Sequence, residues 1–198
     1  MELFVERGYY LQALQQQLNM DVMDVRSFFK PAVTIRPANS DDAPLLYEMH
    51  ERLLPNTLFY RYLRPYRPTL AEMEHVASLS GSAGMAFVAT QAARREEIVG
   101  VAYYVVGGNE PGTAEPAILV EDRFQGQGIG SRLFRCLSRQ ALANSIHTFQ
   151  AIAHPANLAV MRLLERSGFP VEEKLAYGAR EMRVLLSERE RSSIPLCA

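Results

Sequence analysis

The chain has 198 residues, 48% of them hydrophobic, with 21 Lys and Arg against 22 Asp and Glu and a formal net charge of −1. That length and apolar content suffice for one well-buried domain with an extension, and the balanced charge, without a block of five like residues, excludes a nucleic-acid footprint and a polybasic membrane patch. No apolar run approaches a membrane span and Met1 to Arg7 lacks an apolar signal core, so a cytoplasmic protein is expected.

Residues 1–32 read as an N-terminal helical extension: Tyr10, Leu11, Leu14 and Leu18 recur at helical spacing among glutamines. The apolar face of that helix packs on its own domain or on a second subunit in a homodimer. The domain proper spans 33–187, and 188–198 read as a flexible tail. It opens with a strand, Val33 to Arg36, and a helix capped by Asn39, Ser40 or Asp41 that carries Pro44 in its first turn and runs to about Leu54. The next stretch, Asn56 to Leu63, is aromatic and basic. Either Leu58, Tyr62 and Leu63 pack a helix face with Tyr60 and Arg61 solvated, or Tyr60 and Arg61 meet a ligand. Thr69 and Glu72 form a capping box for a helix to Leu79, and Met85 to Thr90 with Ile98 to Val106 form an antiparallel hairpin.

The strand Glu115 to Val120 then leads through Gln125-Gly126-Gln127-Gly128-Ile129-Gly130 into an amphipathic stretch from Ser131 to Leu142. Alternate glycines allow φ > 0 and let several N–H groups converge on one anion, to which the N-terminus of the following helix adds its dipole. A mononucleotide P-loop needs Lys and a hydroxyl after its last glycine, whereas Gly130 is followed by Ser131-Arg132. The dinucleotide fingerprint G-x-G-x-x-G does not match glycines at 126, 128 and 130 either. The remaining pattern, Q/R-x-x-G-x-G/A after a buried strand, resembles the pyrophosphate loop of the GNAT superfamily of acyl-CoA-dependent N-acyltransferases. A second block strengthens the resemblance. The strand Thr148 to Ala153, the turn His154-Pro155-Ala156-Asn157, the helix Leu158 to Ser167 and then Gly168-Phe169 are similar to the N-x(n)-G-F end of that domain. Asn157 is also a good N-cap and Gly168 suits a left-handed helix end. A last strand covers Glu181 to Leu186.

The resemblance implies an α/β (α+β) fold with a mixed, mostly antiparallel sheet flanked by helices, and acetyl-CoA as co-substrate. It places cofactor contacts at Ile118, Leu119, Val120, Gln125, Gly126, Gln127, Gly128, Ile129, Gly130, Ser131 and Asn157. Oxyanion donors are expected from the backbone N–H of Ile118, Leu119 or Val120. An attacking amine must lose its proton, and Glu115 is the expected general base. It precedes the end of its strand by five residues, about 16 Å at roughly 3.3 Å each, which matches the reach of a pantetheine arm. Its strand resembles the one carrying the base in bacterial protein-lysine acetyltransferases, and the run Asn56 to Leu63 resembles their S-x-[YF]-x-R-[FY] segment on the acceptor side, with Tyr60 and Arg61 as substrate-binding residues. Many family members place a tyrosine where this chain has Leu164, which puts a side-chain general acid in doubt. The four histidines and two cysteines have no metal-ligand spacing, and His154 before Pro155 reads as a turn residue. The expected function is acetyl transfer from acetyl-CoA to a protein lysine. The alternatives are a free amino acid or polyamine as acceptor, or a CoA-binding sensor without catalysis.

Overall fold

A computed structural model describes residues 32–92, 96–107 and 110–187, so the expected N-terminal helix and C-terminal tail lie outside the described residues. Strand β1 (Val33–Pro37) is followed by a 3-10 turn, Ser40–Asp42, and by helices α1 (Ala43–Glu51), α2 (Pro55–Tyr62) and α3 (Leu70–Ala77). Strands β2 (Gly84–Ala92), β3 (Glu96–Val106) and β4 (Thr113–Val120) come next, then a 3-10 turn, Asp122–Phe124, and α4 (Ile129–Ala143). The chain ends with β5 (Thr148–Ala153), α5 (Leu158–Ser167), β6 (Val171–Ala176) and β7 (Ala179–Leu185).

The strands form one sheet in the order β1-β2-β3-β4-β5-β7-β6. Every neighbouring pair is antiparallel except β4 and β5, as the expected mixed sheet requires. Side chains alternate between the faces, and each face is covered. Ala86 and Val88 join Leu46, Met49, Met73 and Val76 of α1 and α3 in one apolar cluster. Phe87 and Ala89 join Leu133 and Leu137 of α4 in the other. Coverage on both faces explains why β2 and β3 are almost continuously buried rather than alternating.

Several boundaries are local physics. Thr69 and Glu72 make the expected reciprocal cap on α3. Helix α1 stops at Glu51, short of the expected Leu54, because Pro55 opens α2 and holds Leu54 extended at φ −68° and ψ 149°. Strand β6 was not anticipated: it is an edge strand pairing only with β7, and four successive exposed residues, Glu172 to Leu175, hide its period.

One irregularity positions everything that follows. Parallel strands β4 and β5, joined through α4, pair only at Thr113–Thr148 and Ala114–Phe149 and then part. The gap opens beside the end of β4, next to the glycine-rich loop.

Candidate active site

Glycine is needed in this loop for conformation, not for space. Gly126 and Gly128 have φ of +72° and +81°, and a Cβ added at either would meet nothing within 4 Å. Left-handed backbone disfavours other residues, and the resulting course leaves the amide N–H groups of residues 126–131 with no acceptor among the described residues. The first turn of α4 carries no acidic residue to occupy them. Unpaired donors at the positive end of a helix form an anion cradle.

The cradle opens into a cavity of about 520 Å³ bounded by β4, β5, α2 and α5. Of the expected cofactor contacts, Ile118, Leu119, Val120, Gln125, Gly126, Gly128, Ile129, Gly130, Ser131 and Asn157 line it, as do Tyr60 and Arg61. Gln127 and Glu115 do not. Gln127 is exposed and donates to the Arg123 carbonyl at 3.0 Å. Asn157 caps α5 by accepting from the Val160 N–H at 3.3 Å. Leu164 adds a buried apolar wall. Tyr177 lies at the fully exposed β6–β7 turn and Tyr103 is bound to Arg61, so among the described residues Tyr60 supplies the cavity's one phenol.

Backbone parity narrows the expected oxyanion donors. The Glu121 N–H donates to the Val99 carbonyl at 2.9 Å, and the register pairs Val120 with Gly100 and Leu119 with Val101. Antiparallel ladders alternate bonded and non-bonded pairs, so Glu115, Ala117 and Leu119 turn their backbone groups to β3. Ile118 and Val120 turn theirs to the parted edge. Their N–H groups face the gap, whereas the Leu119 amide does not.

Three carboxylates near this region differ in their partners. Glu110 is bound by both Arg183 nitrogens at 2.9 Å and by Gln150 at 2.9 Å, and Arg183 holds its carboxyl below the usual range. Glu121, buried, pairs with Arg52 at 3.0 Å and with Arg123. Glu115 is exposed on β4, next to the lining residue Pro116, and has no cationic partner among the described residues.

Long-range contacts that no local pattern announces hold α2 against the loop. Asp122 accepts from the Leu54 N–H at 2.9 Å and the Thr57 hydroxyl at 2.6 Å, so a carboxylate from the loop caps α2. Gln125 Nε2 donates to Thr57 at 3.5 Å and to the Val120 carbonyl at 3.0 Å. From the far side of the gap, His154 packs its ring 5.6 Å from Phe59 and 5.7 Å from Tyr60. Thr57, Arg162 and Arg166 also line the cavity. The i,i+4 spacing of the two arginines would have put them on one face of α5; Asp122 and Thr57 are 65 residues apart and left no comparable signal.

The acetyltransferase (GNAT) domain model matches residues 32–170. Acetyltransferase Pat of Mycolicibacterium smegmatis is 30% identical over 112 residues, 57% of this chain and 33% of that protein. The chain therefore spans about a third of that curated relative's length. The GNAT domain of S. lividans PAT superposes with a TM-score of 0.68 at 24% identity, over 76% of this chain and 89% of that one. A GNAT superfamily phosphinothricin acetyltransferase (Pat) from Sinorhizobium meliloti, solved in complex with AcCoA, gives a TM-score of 0.62 at 22% identity, over 79% of this chain and 89% of that one. These two structures establish likeness of fold. Among the described residues no cluster of three or more His, Cys, Asp or Glu could hold a metal ion, and no helix is long and apolar enough to cross a membrane.

Proposed function

The chain belongs to the GNAT acetyltransferase family, and on that premise we propose that residues 33–187 move an acetyl group from acetyl-CoA to a primary amine, a protein lysine first, by direct attack. The observation that carries the reading is the run of amides at Gly126 to Ser131 without an acceptor among the described residues, opening onto the gap between β4 and β5. Acetyl-CoA, when bound, supplies the acyl group as an activated thioester. The glycine loop holds its diphosphate, and Asn157, Leu163 and Leu164 flank its arm. The N–H groups of Ile118 and Val120 are placed to donate to an acyl oxygen in the gap, where charge develops during transfer. Glu115 takes the proton from the amine, directly or through water, as the C–N bond forms, the C–S bond breaks and CoA leaves as a thiolate that takes its proton from water. A carboxylate with no cationic partner among the described residues is freer for that task than Glu110 or Glu121, whose oxygens arginines already engage.

The likeness of the run Asn56 to Leu63, and of the Glu115 strand, to bacterial protein-lysine acetyltransferases supports lysine as the acceptor. A small-molecule amine is the second reading, favoured by the position of Arg61 inside the cleft. Thiol release from acetyl-CoA, screened against lysine-rich proteins, amino acids and polyamines, tests the assignment. Turnover with an amine supports it, whereas CoA binding without turnover of any amine makes the protein a sensor.

A further inference from the structure

Arg61 is an unusual cation for the acceptor side of a cleft. Its guanidinium sits 4.9 Å from the Tyr62 ring centre and 5.6 Å from that of Tyr103, and it donates to the Tyr103 hydroxyl at 2.5 Å. It lines the cavity, half-buried, and has no carboxylate partner among the described residues. Its neighbours do not neutralise it: burial pushes the Tyr62 hydroxyl up to about 12 and pushes the His50 ring down, so both are uncharged at pH 7. Two aromatic faces and one hydroxyl fix the side chain without quenching its charge. Such a guanidinium gives up little further freedom when it binds a planar anion with its remaining N–H groups.

Resting on the amine-acceptor reading of this cleft, we propose that Arg61 anchors a carboxylate of the acceptor, so that the enzyme acts on primary amines carrying a carboxylate a few ångströms from the nitrogen. Tyr103 stands opposite Ala117 on the sheet, and Glu115 lies two residues before Ala117 on the same face, about 6.6 Å along the strand. One end of a short amino acid, or of a lysine beside an acidic residue, then meets Arg61 while its amine meets Glu115.

The test measures kcat/KM for matched acceptors: free amino acids against their amides, and lysine peptides with Asp against Asn beside the lysine. CoA affinity is followed in parallel by calorimetry. In the wild type the carboxylate twin is favoured by about tenfold or more, as a charge-assisted hydrogen bond warrants. Arg61→Gln abolishes the preference with CoA affinity unchanged, and Arg61→Lys keeps part of it. Whichever pair shows the preference identifies the carboxylate's source. Equal or better use of the amides, or a preference that survives Arg61→Gln, overturns the proposal, whereas CoA binding without turnover of any acceptor removes the amine-acceptor reading on which it rests. Absence of CoA binding instead removes the underlying functional reading.

Discussion

Three glutamates lie close together in this sequence, and their surroundings assign them different work. Arg183 claims Glu110, Arg52 and Arg123 claim Glu121, and Glu115 has no cationic partner among the described residues where β4 begins to leave β5. Replacing Glu115 with Gln removes the base while leaving the glycine loop untouched. The expected outcome is a fall in kcat of about two orders of magnitude with CoA affinity nearly unchanged. Equal activity in the variant, by the same thiol-release assay, would remove Glu115 from the mechanism. Glu121, by contrast, is a structural carboxylate. Its arginines stay partly solvated at 29% and 55% exposure, so losing the buried carboxylate costs the hydrogen bonds it accepts, about 1–3 kcal/mol, and Glu121→Ala should unfold at lower urea than Glu115→Gln.

At the scale of elements, α2 joins the two halves of the site. It carries Tyr60 and Arg61, while its N-terminus hangs on Asp122, four residues before Gly126. Thr57→Val deletes the hydroxyl that Asp122 and Gln125 share. It should raise the KM for the amine by about tenfold, the worth of a hydrogen bond to a charged group, and leave CoA affinity within about twofold. Thr57→Ser keeps the hydroxyl and should restore KM; an unchanged KM in the Val variant contradicts this tie. Local pattern revealed the elements with local causes: the capping box of α3, the glycine turn, and the Asn157 and Gly168 ends of α5. It missed β6, whose exposed edge shows no apolar alternation, and it overran α1, where Pro55 ends the turn. Nor could it tell which of Ile118, Leu119 and Val120 offers an amide to the gap. That depends on the ladder register with β3, a property of two strands together.

Across the described residues, two apolar layers cover a sheet whose middle is open between β4 and β5, and an ionic pin fastens its far edge beside β1. That pin is Asp42, buried with Arg36 at 2.7 Å and the Asn39 N–H at 2.9 Å. Burial alone would raise its pKa, but the guanidinium and the amide outweigh that and hold it below the ordinary value. A depressed folded pKa contributes stability that is present above the unfolded pKa, near 4, and is lost as pH falls through the folded value. The urea midpoint should therefore exceed that of Asp42→Asn by a constant margin from about pH 7 to 5, and the margin should shrink below about pH 4. A margin that grows on acidification would contradict this assignment. The central claim concerns the amides at the mouth of α4, and calorimetry with CoA tests it most directly. The account predicts saturable binding by the wild-type protein, retained in part by Gly128→Asn, which tolerates the left-handed backbone, and lost in Gly128→Asp, which adds a negative charge to the cradle. No heat at millimolar CoA, or equal binding by Gly128→Asp, would contradict it.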